Sequence, residues 1–223
     1  MAKKTPEFLF DFGSPNAYLA HKVIPAIEAR TGARFTYVPV LLGGVFKATG
    51  NQAPMLAFAG VPAKLAYEAL EMRRFIARHG LTAYRQNPHF PVNTLLIMRG
   101  TEAARELGVF APYVETVFAA MWEDGRKMDD PAVVAETLAA AGLPAERLLE
   151  LTQDQAIKDR LAANTAGAVE RGVFGSPSFL IGDELWFGKD RLRDELALIA
   201  EPVPTFAERA PELTPWRHSP ACA

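Results

Sequence analysis

The stretch Phe8-Leu9-Phe10-Asp11-Phe12-Gly13-Ser14-Pro15-Asn16-Ala17-Tyr18-Leu19 decides the fold. Its opening residues are apolar with β-forming side chains and predict a short strand over 7–11. Gly13 allows a tight turn, Ser14 stands where a helix N-cap belongs, and Pro15 suits the first helical position, which needs no backbone N–H. Ala17, Leu19, Ala20, Val23 and Ile24 follow near helical spacing and predict a helix over 15–31, closed by Gly32. Ser14 therefore stands at the mouth of a strand–turn–helix unit. There it faces unpaired backbone N–H groups and the positive end of the helix dipole, a place suited to an anion, a thiolate included. Capping alone is the ordinary role of a serine in this position, so a functional reading of Ser14 has to draw on the rest of the chain.

Working outward, Pro25 predicts a kink or break in the first helix. Residues 33–40, rich in β-branched and aromatic types, predict a second strand, parallel to the first across a βαβ unit. Gly43, Gly44, Gly50 and Pro54 predict irregular structure over 41–54, with one helical turn at 45–48. Lys47 and Asn51 lie there, beyond the strand ends where ligands collect in α/β sheets; the alternative is a solvated loop. Residues 62–171 read as almost wholly helical, over 62–79, 94–107, 111–123, 131–141, 144–151 and 153–171. Their apolar stripes read as core. The stretch 83–93 interrupts them as a polar loop, where Asn93 is placed to cap the helix that follows. His89 has no carboxylate or second histidine nearby, so no metal site is expected. Beyond Gly172 the pattern changes to two short strands, 178–181 and 184–187, joined by the tight turn Gly182-Asp183. A last helix over 190–199 and a proline-rich tail complete the chain.

With 223 residues, 49% of them hydrophobic and 22% charged, the chain is long enough for one large domain or one domain with an insertion. A formal net charge of −2 points to neither a nucleic-acid nor a membrane-surface partner. No apolar run has the length of a membrane span, and the N-terminal apolar run is too short for a signal-peptide core, so a cytoplasmic protein is expected. The sole cysteine, Cys222, excludes an intramolecular disulfide and any Cys-x-x-Cys pair. The order βαβ, helical block, ββα is that of an α/β thioredoxin-like mixed sheet with a large all-helical insertion. The expected divisions are 1–45 and 172–201 for the two halves of the thioredoxin-like unit, 46–171 for the insertion and 202–223 for the tail.

Three motifs carry a resemblance: Phe-Asp-Phe-Gly-Ser-Pro-Asn-Ala-Tyr at 10–18, Gly-Val-Phe-Gly-Ser-Pro-Ser-Phe at 172–179 and Trp-Phe-Gly-Lys-Asp-Arg-Leu at 186–192. In this order, and with a helical insertion of this size, they resemble the 2-hydroxychromene-2-carboxylate isomerases. That family is grouped with the kappa-class glutathione transferases and, more distantly, with DsbA-type oxidoreductases. The resemblance spans residues 8–199. It implies a cytoplasmic homodimer that uses glutathione on a small aromatic carboxylate, interconverting 2-hydroxychromene-2-carboxylate and trans-o-hydroxybenzylidenepyruvate in naphthalene-type catabolism. It implies Ser14 as the catalytic residue beside the glutathione sulfur, and a cis Ser176–Pro177 bond, with Ser176 and Pro177 against the glutathione backbone. Lys189, Asp190 and Arg191 are implied at the γ-glutamyl end, and Lys47, Asn51, Tyr84 and Asn93 on the substrate side. Ser176 departs from the branched apolar residue common at its position. A free thiol has a pKa of ~8.5, and a hydroxyl donor at a helix N-terminus favours its anion. Two alternatives stand beside this reading: a kappa-like transferase acting on other electrophiles, and a non-enzymatic thioredoxin-fold binding module.

Overall fold

The computed structural model describes residues 5–193. Within them, the alternation of the opening stretch becomes β1 (Glu7–Phe10), followed by the helix α1 (Pro15–Thr31) and β2 (Thr36–Pro39). The C-terminal hairpin forms β3 (Ser178–Ile181) and β4 (Glu184–Phe187). The strands assemble in the order β2-β1-β3-β4. β1 runs parallel to β2, with Leu9 opposite Val38, and antiparallel to β3, with Phe8 opposite Phe179. β3 and β4 are antiparallel, as a two-residue connection requires.

Because successive strand residues point to opposite faces, β1 feeds two cores. Phe8 and Phe10 lie in the larger one, stacked on each other with Phe8 also stacked on Phe179, and Phe10 and Phe12 pack against Phe118. Leu9 points the other way, into a smaller core with Val40, Val45, Ala168, Val173 and Leu180. Fully burying one such side chain contributes on the order of 1.5–3 kcal/mol, so β1 alone anchors both sides of the sheet.

The helical block between the two halves comprises α2 (Leu42–Thr49), α3 (Pro54–Ala57), α4 (Pro62–His79), α5 (Leu95–Glu106), α6 (Phe110–Trp122), α7 (Pro131–Ala140), α8 (Ala145–Leu151) and α9 (Gln155–Glu170). One expectation is corrected here. The stretch 41–54 is mostly helix rather than loop: α2 runs straight through Gly43 and Gly44. Its start is fixed from outside, since Leu41 N–H donates to Thr165 Oγ1 (2.9 Å) and Leu42 N–H to Asp11 Oδ2 (2.7 Å). Gly44 then lies so close to α9 that a Cβ would meet Thr165 Cγ2 at 3.1 Å. Tertiary contact here outweighs the weak helix propensity of glycine. Pro25 lies inside α1 on its exposed face, and the helix spans the expected residues 15–31. Of the expected final helix, the described residues form a 3-10 turn, Lys189–Arg193. The rest of that expected helix, the proline-rich tail and Cys222 lie outside the described residues. No helix among those described is long and apolar enough to cross a membrane.

Candidate functional site

Ser14 is the N-cap of α1, in extended backbone and only 5% exposed. Its Oγ accepts the Ala17 N–H (3.2 Å), satisfying one of the orphan donors of the first turn. The same hydroxyl donates to the carbonyl oxygen of Ser176 (2.8 Å), so the two serines 162 residues apart in the chain meet at the site. The Asn16 N–H has no acceptor among the described residues. The Ser176–Pro177 bond is cis, as expected, and Phe90–Pro91 is cis as well. Pro177 passes the connection on: its carbonyl accepts the Gly188 N–H (3.0 Å), which sets the start of the 3-10 turn that packs on α1.

Lys189 and Asp190 therefore sit one hydrogen bond away from the cis-proline turn. The Lys189 ammonium is buried, lies 5.1 Å from the centre of the Phe75 ring and pairs with Asp190 Oδ2 (2.7 Å). Asp190 is largely exposed, and Arg191 is exposed on the following residue. Asn51 is also drawn to this side: its Nδ2 donates to the Phe174 carbonyl (2.8 Å), two residues before Ser176. Beside it the exposed rings of Phe174 and Phe187 pack with centroids 4.6 Å apart. Lys47 is exposed on α2 and has no ion pair among the described residues.

Tyr84 and Asn93 lie at the two ends of the loop that precedes α5. Tyr84 lies parallel to Trp122 (centroids 6.2 Å) and near Tyr18, its hydroxyl donates to Gln86, and burial pushes that hydroxyl up to about 12. Asn93 Oδ1 accepts the Leu95 N–H (3.0 Å), but the N-cap of α5 is Thr94, so Asn93 stands one residue before the cap its position predicts. Nearby, Tyr18 donates to Glu123 and Trp122 Nε1 donates to the Phe12 carbonyl (2.8 Å), so the loop after β1 is held from the α6 side as well. A cavity of about 370 Å³ lies on the far side of α2, between α5 and α9, lined by Leu41, Leu95 and Leu161 with Arg99 and Lys158. None of the predicted site residues lines it.

The residue that sequence reasoning passed over is Asp11. It is fully buried. Its backbone N–H donates to Ser176 Oγ (3.1 Å) and its carbonyl accepts the Ser14 N–H (3.0 Å). Its Oδ1 accepts the Gly13 N–H (2.8 Å), and its Oδ2 accepts the Leu42 N–H and the Thr94 hydroxyl (3.1 Å). Burial pushes this carboxyl above its ordinary range, against the pull of the Leu42 and Gly13 amides and the Thr94 hydroxyl. The only signal in the sequence is an acidic residue inside an otherwise apolar run, one that burial obliges to find partners. Gly13 has a steric reason: a Cβ there would meet Thr94 Cγ2 at 3.1 Å and Asp11 Oδ1 at 3.3 Å.

Residues 7–199 match the family model of the DSBA-like thioredoxin domain. The 2-hydroxychromene-2-carboxylate isomerase of Pseudomonas putida is 32% identical over 196 residues, covering 83% of this chain and 89% of that protein. Glutathione S-transferase kappa 1 of Homo sapiens is 26% identical over 224 residues, 90% of this chain and 95% of that one. A solved structure of 2-hydroxychromene-2-carboxylate isomerase superposes with a TM-score of 0.74 at 27% identity, covering 87% of this chain and 94% of that chain. In fold and in sequence the chain belongs to the DSBA-like thioredoxin domain family, on the branch of the 2-hydroxychromene-2-carboxylate isomerases.

Proposed function

We propose that the chain is a glutathione-dependent isomerase that interconverts 2-hydroxychromene-2-carboxylate and trans-o-hydroxybenzylidenepyruvate, as part of naphthalene-type aromatic breakdown. One observation carries the reading: Ser14 caps α1 directly against the cis Ser176–Pro177 turn, in a chain with no cysteine except Cys222. An oxygen there cannot form a disulfide, so the reactive sulfur has to come from a bound thiol. The residues fit such a ligand, since the Ser14 hydroxyl, the Asn16 N–H and the helix dipole favour an anion in one place. Bound glutathione supplies a thiolate able to add to and leave a conjugated enone, with no net redox change.

The protein's own part is to hold charge and geometry. Ser14 is the catalytic residue in this reading. Its hydroxyl donates to the Ser176 carbonyl and would turn that proton to the sulfur of a bound thiolate. Ser176 and Pro177 then serve the peptide backbone of the cofactor. Lys189, Asp190 and Arg191 would hold its γ-glutamyl end, Lys189 meeting the α-carboxylate and Asp190 the α-ammonium in place of their mutual ion pair. Lys47 supplies a cation for the substrate carboxylate, Asn51 a polar contact, and the exposed Phe174–Phe187 pair an apolar surface for the ring. Tyr84 and Asn93 border the substrate from the α5 side.

The test is turnover of synthetic 2-hydroxychromene-2-carboxylate with and without glutathione, together with a glutathione titration followed by thiolate absorbance near 240 nm. Thiol-dependent turnover with free glutathione recovered supports the isomerase. A persistent conjugate would mark a transferase of the kappa kind. A titration with no thiolate signal and no turnover would leave a binding module.

A further inference from the structure

We infer that Asp11 is a positioning residue that sets Ser14 in register with the substrate-side helix α2, an inference that rests on the role proposed above for Ser14. The geometry is a clasp across four segments. The carboxylate accepts from Gly13 in the Ser14 turn, from Leu42 at the first turn of α2 and from Thr94 at the N-cap of α5. The backbone of the same residue holds the fourth segment, through Asp11 N–H to Ser176 Oγ. Thr94 gives its hydroxyl to Asp11 instead of capping its own helix. One buried side chain thus fixes the helix that carries Ser14, the helix that carries Lys47 and the loop that delivers Tyr84 and Asn93.

All three side-chain contacts are donors aimed at an acceptor. Asn at position 11 preserves the shape but offers only one acceptor oxygen, so either orientation of its amide sets an NH2 group against a backbone N–H, of Gly13 or of Leu42. A buried donor left unsatisfied pulls its segment out of register. A purely structural role for Asp11 predicts a lower melting temperature with unchanged kcat per folded molecule. A positioning role predicts a fall in kcat measured well below the melting transition.

The experiment compares wild type with Asp11→Asn and with Thr94→Val, which keeps two of the three donors. Each is followed by thermal melting, by kcat and KM for the aromatic acid at saturating glutathione, and by amide hydrogen exchange over residues 12–17 and 41–45. The expected result for Asp11→Asn is a kcat lowered tenfold or more, a KM changed less than threefold, and exchange at least tenfold faster in one of the two segments. Thr94→Val should show a smaller fall in kcat with near-native melting, and it decides the matter should Asp11→Asn fail to fold. Folded variants with kcat within twofold of wild type, or with both segments as protected as in wild type, would overturn the inference. The exchange measurement needs no turnover, so it tests the clasp even where wild type proves inactive, an outcome that would sink the isomerase reading alone.

Discussion

Replacing Ser14 by alanine separates the capping role of the hydroxyl from its catalytic one. On the structural side the variant loses the cap to Ala17 N–H and the donor to Ser176. An Ala cap costs roughly 0.5–2 kcal/mol, and for a chain of this size each kcal/mol lowers the melting temperature by about 2–4 °C, so Ser14→Ala should remain folded at room temperature. On the chemical side, a hydrogen bond to a charged group contributes about 1.5–3 kcal/mol, or roughly 10- to 150-fold. Since one pKa unit corresponds to about 1.36 kcal/mol, the thiol of bound glutathione should rise by about 1–2 units. A thiol moved from about 7 to its free value of about 8.5 retains roughly 3% thiolate at pH 7 instead of half, a loss of about 15-fold from ionisation alone. The assay is kcat against pH at saturating glutathione, paired with a 240 nm titration of the bound thiol. Turnover within twofold of wild type at pH 7, with an unmoved thiol, would refute the reasoning. A loss that higher pH does not partly restore would show that Ser14 acts by some means other than holding the anion.

Lys47→Ala should raise KM for the aromatic acid roughly 10- to 150-fold and spare the glutathione dissociation constant, while Asp190→Ala should do the reverse; mutants that shift both constants equally would end this division of labour. Glu115 is held down at about 2, first by its bond to His21 and then by Lys22, despite partial burial. A depressed carboxyl contributes stability above its ordinary value of 4.5 that is lost as pH falls towards 2, so the melting temperature of Glu115→Gln should fall less steeply across that window than that of wild type; parallel acid limbs would count against it. Gly13→Ala forces a methyl against Thr94 and Asp11 and should cost about 1–3 kcal/mol, visible as a lower melting temperature, whereas Gly43→Ala, with open space around its Cα, should not.

The parts of the fold that could be read in advance are those governed by local rules. Pro15, just after a capping residue, marked the start of α1, and Ser14 does accept a backbone N–H there. Gly32 marked the end of α1 and adopts left-handed backbone. The βαβ and hairpin pairings followed from connection length alone. What escaped reading depends on partners distant in sequence. Two adjacent glycines argued against α2, which exists because Asp11 and Thr165 hold its first amides and α9 covers its small face. Asp11 itself was illegible for the same reason: its contacts are 31 and 83 residues away through Leu42 and Thr94. Asn87, 2% exposed, had likewise no local signal, yet its amide donates to the carbonyls of Met121 and Arg126 and shapes the loop before α5.

Asp11 also poses an electrostatic question whose answer separates position from charge. Its carboxylate stands three residues before Ser14, where the proposed chemistry needs a second anion. By Coulomb interaction alone, a buried negative charge there raises the cost of a thiolate and works against catalysis. Three donors offset part of this by spreading the charge into Gly13, Leu42 and Thr94. Were charge the dominant effect, Asp11→Asn would lower the thiol pKa of bound glutathione and raise turnover at neutral pH. Were position dominant, turnover would fall even with a more acidic thiol, because the anion would no longer face the carbon it must attack. Measuring both quantities on one variant therefore distinguishes the two. A lower thiol pKa together with a lower kcat would mean that the site retains an unfavourable charge because the geometry it enforces contributes more to the rate than the charge removes.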